Sequence, residues 1–217
     1  MPHRILAINP GSTSTKIAVY EDDKQLFEKG IDHTREALAA CKSLAESLAL
    51  RRNEIEGALR EFCIARDSIR AVVGRGGMLR PIPGGTYRVN AQMLDDLKSQ
   101  RYGEHASNLG AQLADEIARE IGVPALIADP VVTDEMSELA RLSGHPKIER
   151  RSIFHALNQK AVARDFCNRE NVIYEDVNLI VAHIGGGVSV GAHEKGRVVD
   201  VNDAVCGDGP YSTQRTG

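Results

Sequence analysis

The chain has 217 residues, with 27 Lys and Arg against 30 Asp and Glu and a formal net charge of −3. That balance excludes a basic nucleic-acid-binding surface, and 4% aromatic residues with no tryptophan exclude a base-stacking platform. No apolar run approaches the ~18 residues that span a membrane. With 42% hydrophobic residues, 26% charged residues and no Cys-x-x-Cys pair, the composition predicts a soluble cytoplasmic protein with free thiols, folded as one large domain or two small ones.

In chain order, Arg4–Asn9 reads as a short buried strand, and Lys16–Tyr20 and Leu26–Ile31 follow it after polar turns. Helical spacing takes over from Thr34 to Ile64, through Leu38, Leu44, Leu48, Ile55 and Leu59. Ala71–Gly74 is a strand that opens into a Gly/Pro-rich loop, Arg75 to Gly85. Helices are expected over Ala91–Lys98 and Ala106–Ile121, the second stopped by Gly122-Val123-Pro124. Ala125–Ala128 is a buried strand ending at Asp129-Pro130. Helices around Glu135–Leu142 and Ile153–Phe166 come next, the latter with Ser152 as N-cap. Three strands close the series: Leu179–Ile184, Val188–Ala192 and Val198–Val201.

The last block repeats the first. Ile5–Asn9-x-Gly11 and Leu179–His183-x-Gly185 are apolar runs ending in a polar residue, one free position and a glycine, at a constant offset of 174 residues. Each leads into a short strand, a charged turn and a third strand. A duplicated unit predicts a first domain over 1–177 and the first three strands of a second over 178–217, cut short inside the second copy.

Two glycine turns are candidate phosphate cradles. Asn9-Pro10-Gly11-Ser12-Thr13-Ser14-Thr15-Lys16 combines hydroxyls, a lysine and a glycine that lets backbone N–H groups approach an anion. It is not a P-loop, because a strand rather than a helix follows the lysine. His183-Ile184-Gly185-Gly186-Gly187 leaves bare backbone between two strands, where a ligand could lie. A polar hairpin and a flexible hairpin account for the same residues without a ligand. Among other polar residues, Arg75 and Arg80 could form an anion clamp. Asp129 ends a buried strand where a metal-directed carboxylate would sit, or simply makes a turn before Pro130. His155 falls near a helix N-terminus, which attracts anions.

Taken together, Asn9-x-Gly11-Ser12-x-Ser14-x-Lys16, Val72–Tyr87, Gly103–Gly110, Phe154–Arg164 and His183–Gly191 resemble the acetate and butyrate kinases, and butyrate kinase in particular. These belong to the acetate/sugar kinase–actin–Hsp70 superfamily. The resemblance implies an α/β fold of the actin-like, ribonuclease H-like type, a mixed sheet flanked by helices, with two such domains closing on ATP. It implies transfer of the ATP γ-phosphoryl to butyrate, giving butanoyl phosphate, with Mg²⁺ as the metal. Acetate and branched-chain acids are the alternative substrates. By position, Asn9 would help hold Mg²⁺, and Ser12, Ser14 and Lys16 would meet the nucleotide phosphates, as would His183, Gly185, Gly186 and Gly187. Asp129, His155 and Arg215 would be catalytic, and Arg75 would take the substrate carboxylate. Acetate kinases carry a histidine before their paired glycines and an asparagine in their phosphate loop; here Arg75 and Gly186 occupy those places. The resemblance also implies a homodimer. The family's adenosine pocket lies beyond Gly217, so the chain alone is expected to be inactive or, as an alternative, to serve as a non-catalytic product.

Overall fold

The computed structural model describes residues 3–206 and 208–213. Its strands and helices are β1 (Arg4–Pro10), β2 (Ser14–Glu21), β3 (Lys24–Asp32), α1 (Arg35–Ala40), α2 (Leu44–Glu61), β4 (Ile69–Arg75), β5 (Thr86–Arg88), α3 (Ala91–Lys98), α4 (Asn108–Ile121), β6 (Ala125–Ala128), β7 (Leu142–His145), β8 (Ile148–Glu149), α5 (Ala156–Arg169), β9 (Asn178–Ile184), β10 (Val188–Glu194) and β11 (Arg197–Val201). Contacts divide the chain into two compact units. One runs to Leu79 and includes Thr86–Ala128; the other comprises Arg80–Gly85 and the chain from Asp129 onward.

The first unit is a six-stranded mixed sheet in the order β3-β2-β1-β4-β6-β5. β1, β2 and β3 form an antiparallel meander, while β4 and β6 run parallel to β1. The alternation of Leu6 and Ile8 with Ile17 and Val19 puts one face of the meander into a core. Leu48, Ile55 and Leu59 of α2 and Leu113 and Ile117 of α4 complete it. Thr34 caps α1 by accepting from the Ala37 N–H at 3.1 Å, and Ser43 caps α2 through the Glu46 N–H at 3.2 Å. The helical stretch expected from Thr34 to Ile64 is thus two helices. Gly122 ends α4 in the left-handed region at φ 82°.

Close approach of α4 to β4 depends on two glycines. A Cβ on Gly74 would stand 2.1 Å from the Gly110 carbonyl oxygen, and one on Gly110 would stand 2.2 Å from that of Arg75. Neither distance can be met by a side-chain carbon, so the glycines set the seam that ends at Arg75.

The second unit carries the antiparallel sheet β11-β10-β9, against which α5 packs through Ala163 and Cys167, with Tyr174, Leu179 and Val181 around them. Residues 80–85 join this unit because Ile82 bridges Thr133 and the Asp129 N–H donates to Gly85 at 2.9 Å. The sequence repeat places a boundary near 177, whereas compactness divides the chain after Ala128, since α5 belongs with β9.

Two local expectations fail. The helix over Glu135–Leu142 does not form. Glu135 is drawn into a buried pair with Lys160 at 2.7 Å, and Asp134 into a two-pronged contact with Arg141 at 3.0 and 2.9 Å. A single 3₁₀ turn at Leu139–Arg141 and the β7–β8 hairpin stand there instead. Ser152 does not cap α5, because its hydroxyl donates to the Thr133 carbonyl at 2.7 Å. The helix starts at Ala156 with His155 itself as N-cap.

Candidate active site

In the first unit, β1 and β2 pair Asn9 with Lys16 and Pro10 with Thr15. The turn between them closes through the Gly11 N–H, which donates to the Ser14 carbonyl at 2.7 Å. That donor is therefore engaged within the turn, contrary to its expected role in an anion cradle. Gly11 is also not demanded by space, since a Cβ there would sit at ordinary contact, 3.5 Å from Ser14. The hydroxyls of Ser12 and Ser14 have no hydrogen-bond partner among the described residues. Lys16 is paired with Glu28 at 3.0 Å and is 59% exposed. Such a surface pair is worth at most about 1 kcal/mol, so an incoming phosphate could displace it.

What shapes the turn is a residue the sequence reading passed over. Arg51, buried in the middle of α2, donates to the Ser14 carbonyl at 3.0 Å, to Thr15 Oγ1 at 2.7 Å and to the Ser12 carbonyl at 3.1 Å. Thr15 Oγ1 also meets His33 Nε2 at 2.8 Å, and His33 Nδ1 stands 2.7 Å from Glu54. Burial, and then the nearby Arg51 charge, push the His33 imidazole below its ordinary value, although Glu54 pulls the other way. The neutral ring then accepts from the Thr15 hydroxyl at Nε2, while its Nδ1 edge faces the Glu54 carboxylate without an aligned hydrogen bond. The signal was present: Leu48, Arg51, Ile55 and Leu59 lie on one helical stripe, and an arginine on an apolar stripe is a core charge with a task. A cavity of about 300 Å³ adjoins this clamp, lined among others by Ser12, Ser47, Arg51, His105, Asn108 and Gln112.

Arg75 ends β4, with its guanidinium 3.4 Å from Asn9 Oδ1. Burial lowers its pKa, and among the described residues no acidic side chain pairs with it. A half-buried cation without a counter-charge is a receptor for an anion. Its surroundings explain much of the motif sequence: Asn108 accepts from the Met78 N–H at 2.8 Å and donates to the Gly103 carbonyl at 3.0 Å. Gly77 leaves room for the Asn108 side chain, whose Oδ1 would be 2.4 Å from a Cβ.

The second unit brings His155, His183 and the glycine turn together. The two imidazoles stack with centroids 3.7 Å apart and planes 10° from parallel. His155 Nδ1 meets Ser189 Oγ at 2.9 Å, and His183 Nδ1 meets Asn158 Oδ1 at 2.8 Å. The Gly185 N–H donates to the Gly187 carbonyl at 3.1 Å, and Ser212 donates to the Gly186 carbonyl at 2.7 Å. None of these three glycines has a left-handed φ; what they provide is uncovered backbone. Asp129 takes φ 36°, a left-handed conformation that Asp tolerates better than most residues. Its buried carboxylate accepts from the Gly85 N–H at 2.8 Å and from Arg164 at 3.3 Å. Arg215 lies outside the described residues.

No group of three or more His, Cys, Asp or Glu side chains with metal-binding geometry occurs among the described residues. Mg²⁺ commonly uses one or two protein oxygens and fills its shell with water and phosphate oxygens. The Asn9 amide oxygen, in the first unit, is of that hard-donor type.

A six-stranded mixed sheet continuing a meander, with a second meander after it, is the architecture of the actin-like ATPase fold as carboxylate kinases carry it. Acetate kinase from Porphyromonas gingivalis superposes with a TM-score of 0.66 at 17% identity, over 92% of this chain and 57% of that one. A propionate kinase from Francisella tularensis gives 0.62 at 18%, over 92% and 56%. Within that fold, the chain is similar in sequence to butyrate kinases. It is 54% identical over 215 residues to Butyrate kinase 1 of Clostridium acetobutylicum, covering 99% of this chain and 61% of that protein. It is also 54% identical over 221 residues to a probable butyrate kinase of Coprothermobacter proteolyticus, covering 100% and 61%. The chain thus spans about 61% of the length of the curated relatives it matches. No family profile matches it. No described helix is long and apolar enough to cross a membrane.

Proposed function

We propose that the protein is a short-chain carboxylate kinase that moves the γ-phosphoryl of ATP to butyrate, giving butanoyl phosphate and ADP. The observation that carries this reading is 54% identity to a butyrate kinase along 99% of the chain. The half-buried Arg75, which has no acidic partner among the described residues, supports it from the chemistry.

A carboxylate is already ionised at neutral pH, so no general base is needed. Arg75 would hold the acid by its carboxylate. One carboxylate oxygen then forms the new bond to the γ-phosphorus, the bond from that phosphorus to the β–γ bridging oxygen breaks, and ADP leaves with the electron pair. His155 would donate an N–H to the phosphoryl in transit, with Arg215 beside it in role, because charge on the moving group is what catalysis must offset. Ser12, Ser14 and Lys16, and the backbone of Gly185–Gly187 next to His183, would hold phosphate oxygens. Asn9 would help hold Mg²⁺, which supplies charge neutralisation on the polyphosphate, and Asp129 would be the catalytic acidic residue. A homodimer is the assembly we expect.

Butyrate carries two more methylene groups than acetate, worth about 1.6 kcal/mol or roughly fifteenfold when fully buried. Hydroxamate trapping of the acyl phosphate, across acids from acetate to hexanoate, should peak at four carbons. Equal rates with acetate and butyrate would overturn the substrate assignment, and no acyl phosphate from any acid would overturn the kinase itself.

A further inference from the structure

Behind His155 runs a line of buried polar groups: Tyr174, His193, Gln159 and Ser189. Its direction can be worked out from one fixed point. The backbone carbonyl of Ser189 can only accept, and Gln159 Nε2 lies 3.0 Å from it. The amide nitrogen therefore faces Ser189, and Gln159 Oε1 faces His193 Nε2 at 3.0 Å. Since Oε1 is an acceptor, His193 carries its proton on Nε2. Burial, followed by the Lys160 charge, pushes the His193 imidazole down to about 4, so the ring is neutral and its Nδ1 is bare. Tyr174, whose phenol is pushed up to about 12 by burial, donates to that Nδ1 at 2.5 Å.

At the other end, Ser189 Oγ accepts from Gln159 Nε2 at 2.9 Å. The His155 backbone N–H also points at Ser189 Oγ, at 3.5 Å, and His155 Nδ1 at 2.9 Å is the acceptor left, among the described residues, for the proton of the hydroxyl. Every bond in the series points the same way, from Tyr174 through His193, Gln159 and Ser189 to His155. An Nδ1 that accepts leaves the proton of His155 on Nε2. The edge of the ring that bears Nε2 lies beside the glycine turn: a Cβ on Gly187 would meet Cε1 at 3.5 Å and Nε2 at 3.8 Å. His155 is also the N-cap of α5, where the helix dipole disfavours added positive charge. A donor that needs no net charge suits that place.

We propose that Ser189, oriented by Gln159, is a positioning residue that fixes His155 as its Nε2–H tautomer and so presents an N–H donor beside the Gly185–Gly187 turn. This rests on the reading of His155 as a group that faces a phosphoryl. None of Ser189, Gln159, His193 or Tyr174 touches the reacting atoms in this scheme; they act through His155.

Two-bond ¹H–¹⁵N correlation spectra of the histidine rings in the full-length protein report the tautomer directly, with or without activity. Wild-type His155 should show the Nε2–H pattern. Ser189→Ala should give a mixture of tautomers, and Gln159→Glu, which replaces a donor with an acceptor, should shift the ring towards Nδ1–H. In hydroxamate assays Ser189→Ala should lose about tenfold in kcat, as removal of an orienting partner does, with KM for ATP and for the acid within about twofold of wild type. A proton on Nδ1 in the wild type overturns the proposal, as does a spectrum unchanged by Ser189→Ala. If the wild type makes no acyl phosphate while the tautomer behaves as expected, the kinase reading fails and the positioning stands.

Discussion

The β1–β2 and β9–β10 hairpins stand 174 residues apart in the chain and solve the same problem differently. Pro10 pairs with Thr15 across four residues, whereas Ile184 pairs with Val188 across three, so the second turn is one residue tighter. At the equivalent position each has a buried hydroxyl bonded to a histidine: Thr15 to His33 at 2.8 Å, and Ser189 to His155 at 2.9 Å. From there they diverge. The first turn is clamped from behind by the Arg51 guanidinium, through two carbonyls and a hydroxyl. The second is backed by uncharged donors and acceptors and presents glycine backbone. One turn is thus rigid with hydroxyls outward, the other bare with an imidazole alongside. Two hairpins of the same kind can be fixed from behind in two ways, by a buried charge or by a series of uncharged hydrogen bonds.

The contrast can be broken most forcefully at Arg51. Arg51→Met leaves the Ser12 and Ser14 carbonyls and Thr15 without their donor, and should cost about 3 kcal/mol in urea unfolding. A loss under about 1 kcal/mol would mean that the charge does not hold the turn. Acid should strain both hairpins next. His33 and His193 have folded pKa values below their ordinary one. The unfolded chain therefore takes up protons first, and stability is fully present above about pH 6.5 and declines as pH falls towards about 4 for His193. The slope should reach at most about 1.4 kcal/mol per pH unit for each group. His193→Gln should remove its share, measured as a shallower dependence of the urea midpoint on pH between 7 and 5. A smaller effect separates the hydroxyls: Thr15→Val, which faces a charge, should cost about 2 kcal/mol, against about 1 for Ser189→Ala. Equal losses would erase the distinction. Least of all, Glu28→Gln should change stability by under about 0.5 kcal/mol while tightening ATP binding by titration calorimetry, because Lys16 is freed.

Much of this was legible beforehand. The meanders, the α4 stop at Gly122 and the repeat follow from periodicity and glycine placement, which act locally. Of the candidate site, what residue type and turn chemistry made legible is local placement: His183–Gly187 does turn between two strands, and Arg75 does end one. It was not legible where a side chain is claimed by a distant partner. Ser152 looks like a cap but anchors Thr133, and Glu135 sits in a helical pattern but is captured by Lys160. Arg51 was hidden by counting only the apolar members of its stripe, and Ser189 by the glycines before it. Burial and long-range pairing decide such positions, and neither is written in a short window of sequence.

The two sheets also differ at their margins. β1 has a neighbour on each side, while β9, among the described residues, pairs with β10 alone. Ile180 and Ile184 on β9 are 74% and 81% exposed. Charged replacements, Ile180→Lys with Ile184→Lys, should lower light scattering on concentration.

The glycine seam between β4 and α4 has a practical consequence for redesign. Because Gly74 and Gly110 let main chain touch main chain, the root of the Arg75 side chain is set by a contact with no slack. Libraries meant to probe the proposed acid specificity should therefore vary the surroundings of Arg75 and spare these two positions. A single methyl there would move the Arg75 guanidinium itself, so under the proposed role of Arg75 an altered chain-length profile would report a displaced side chain rather than a reshaped pocket.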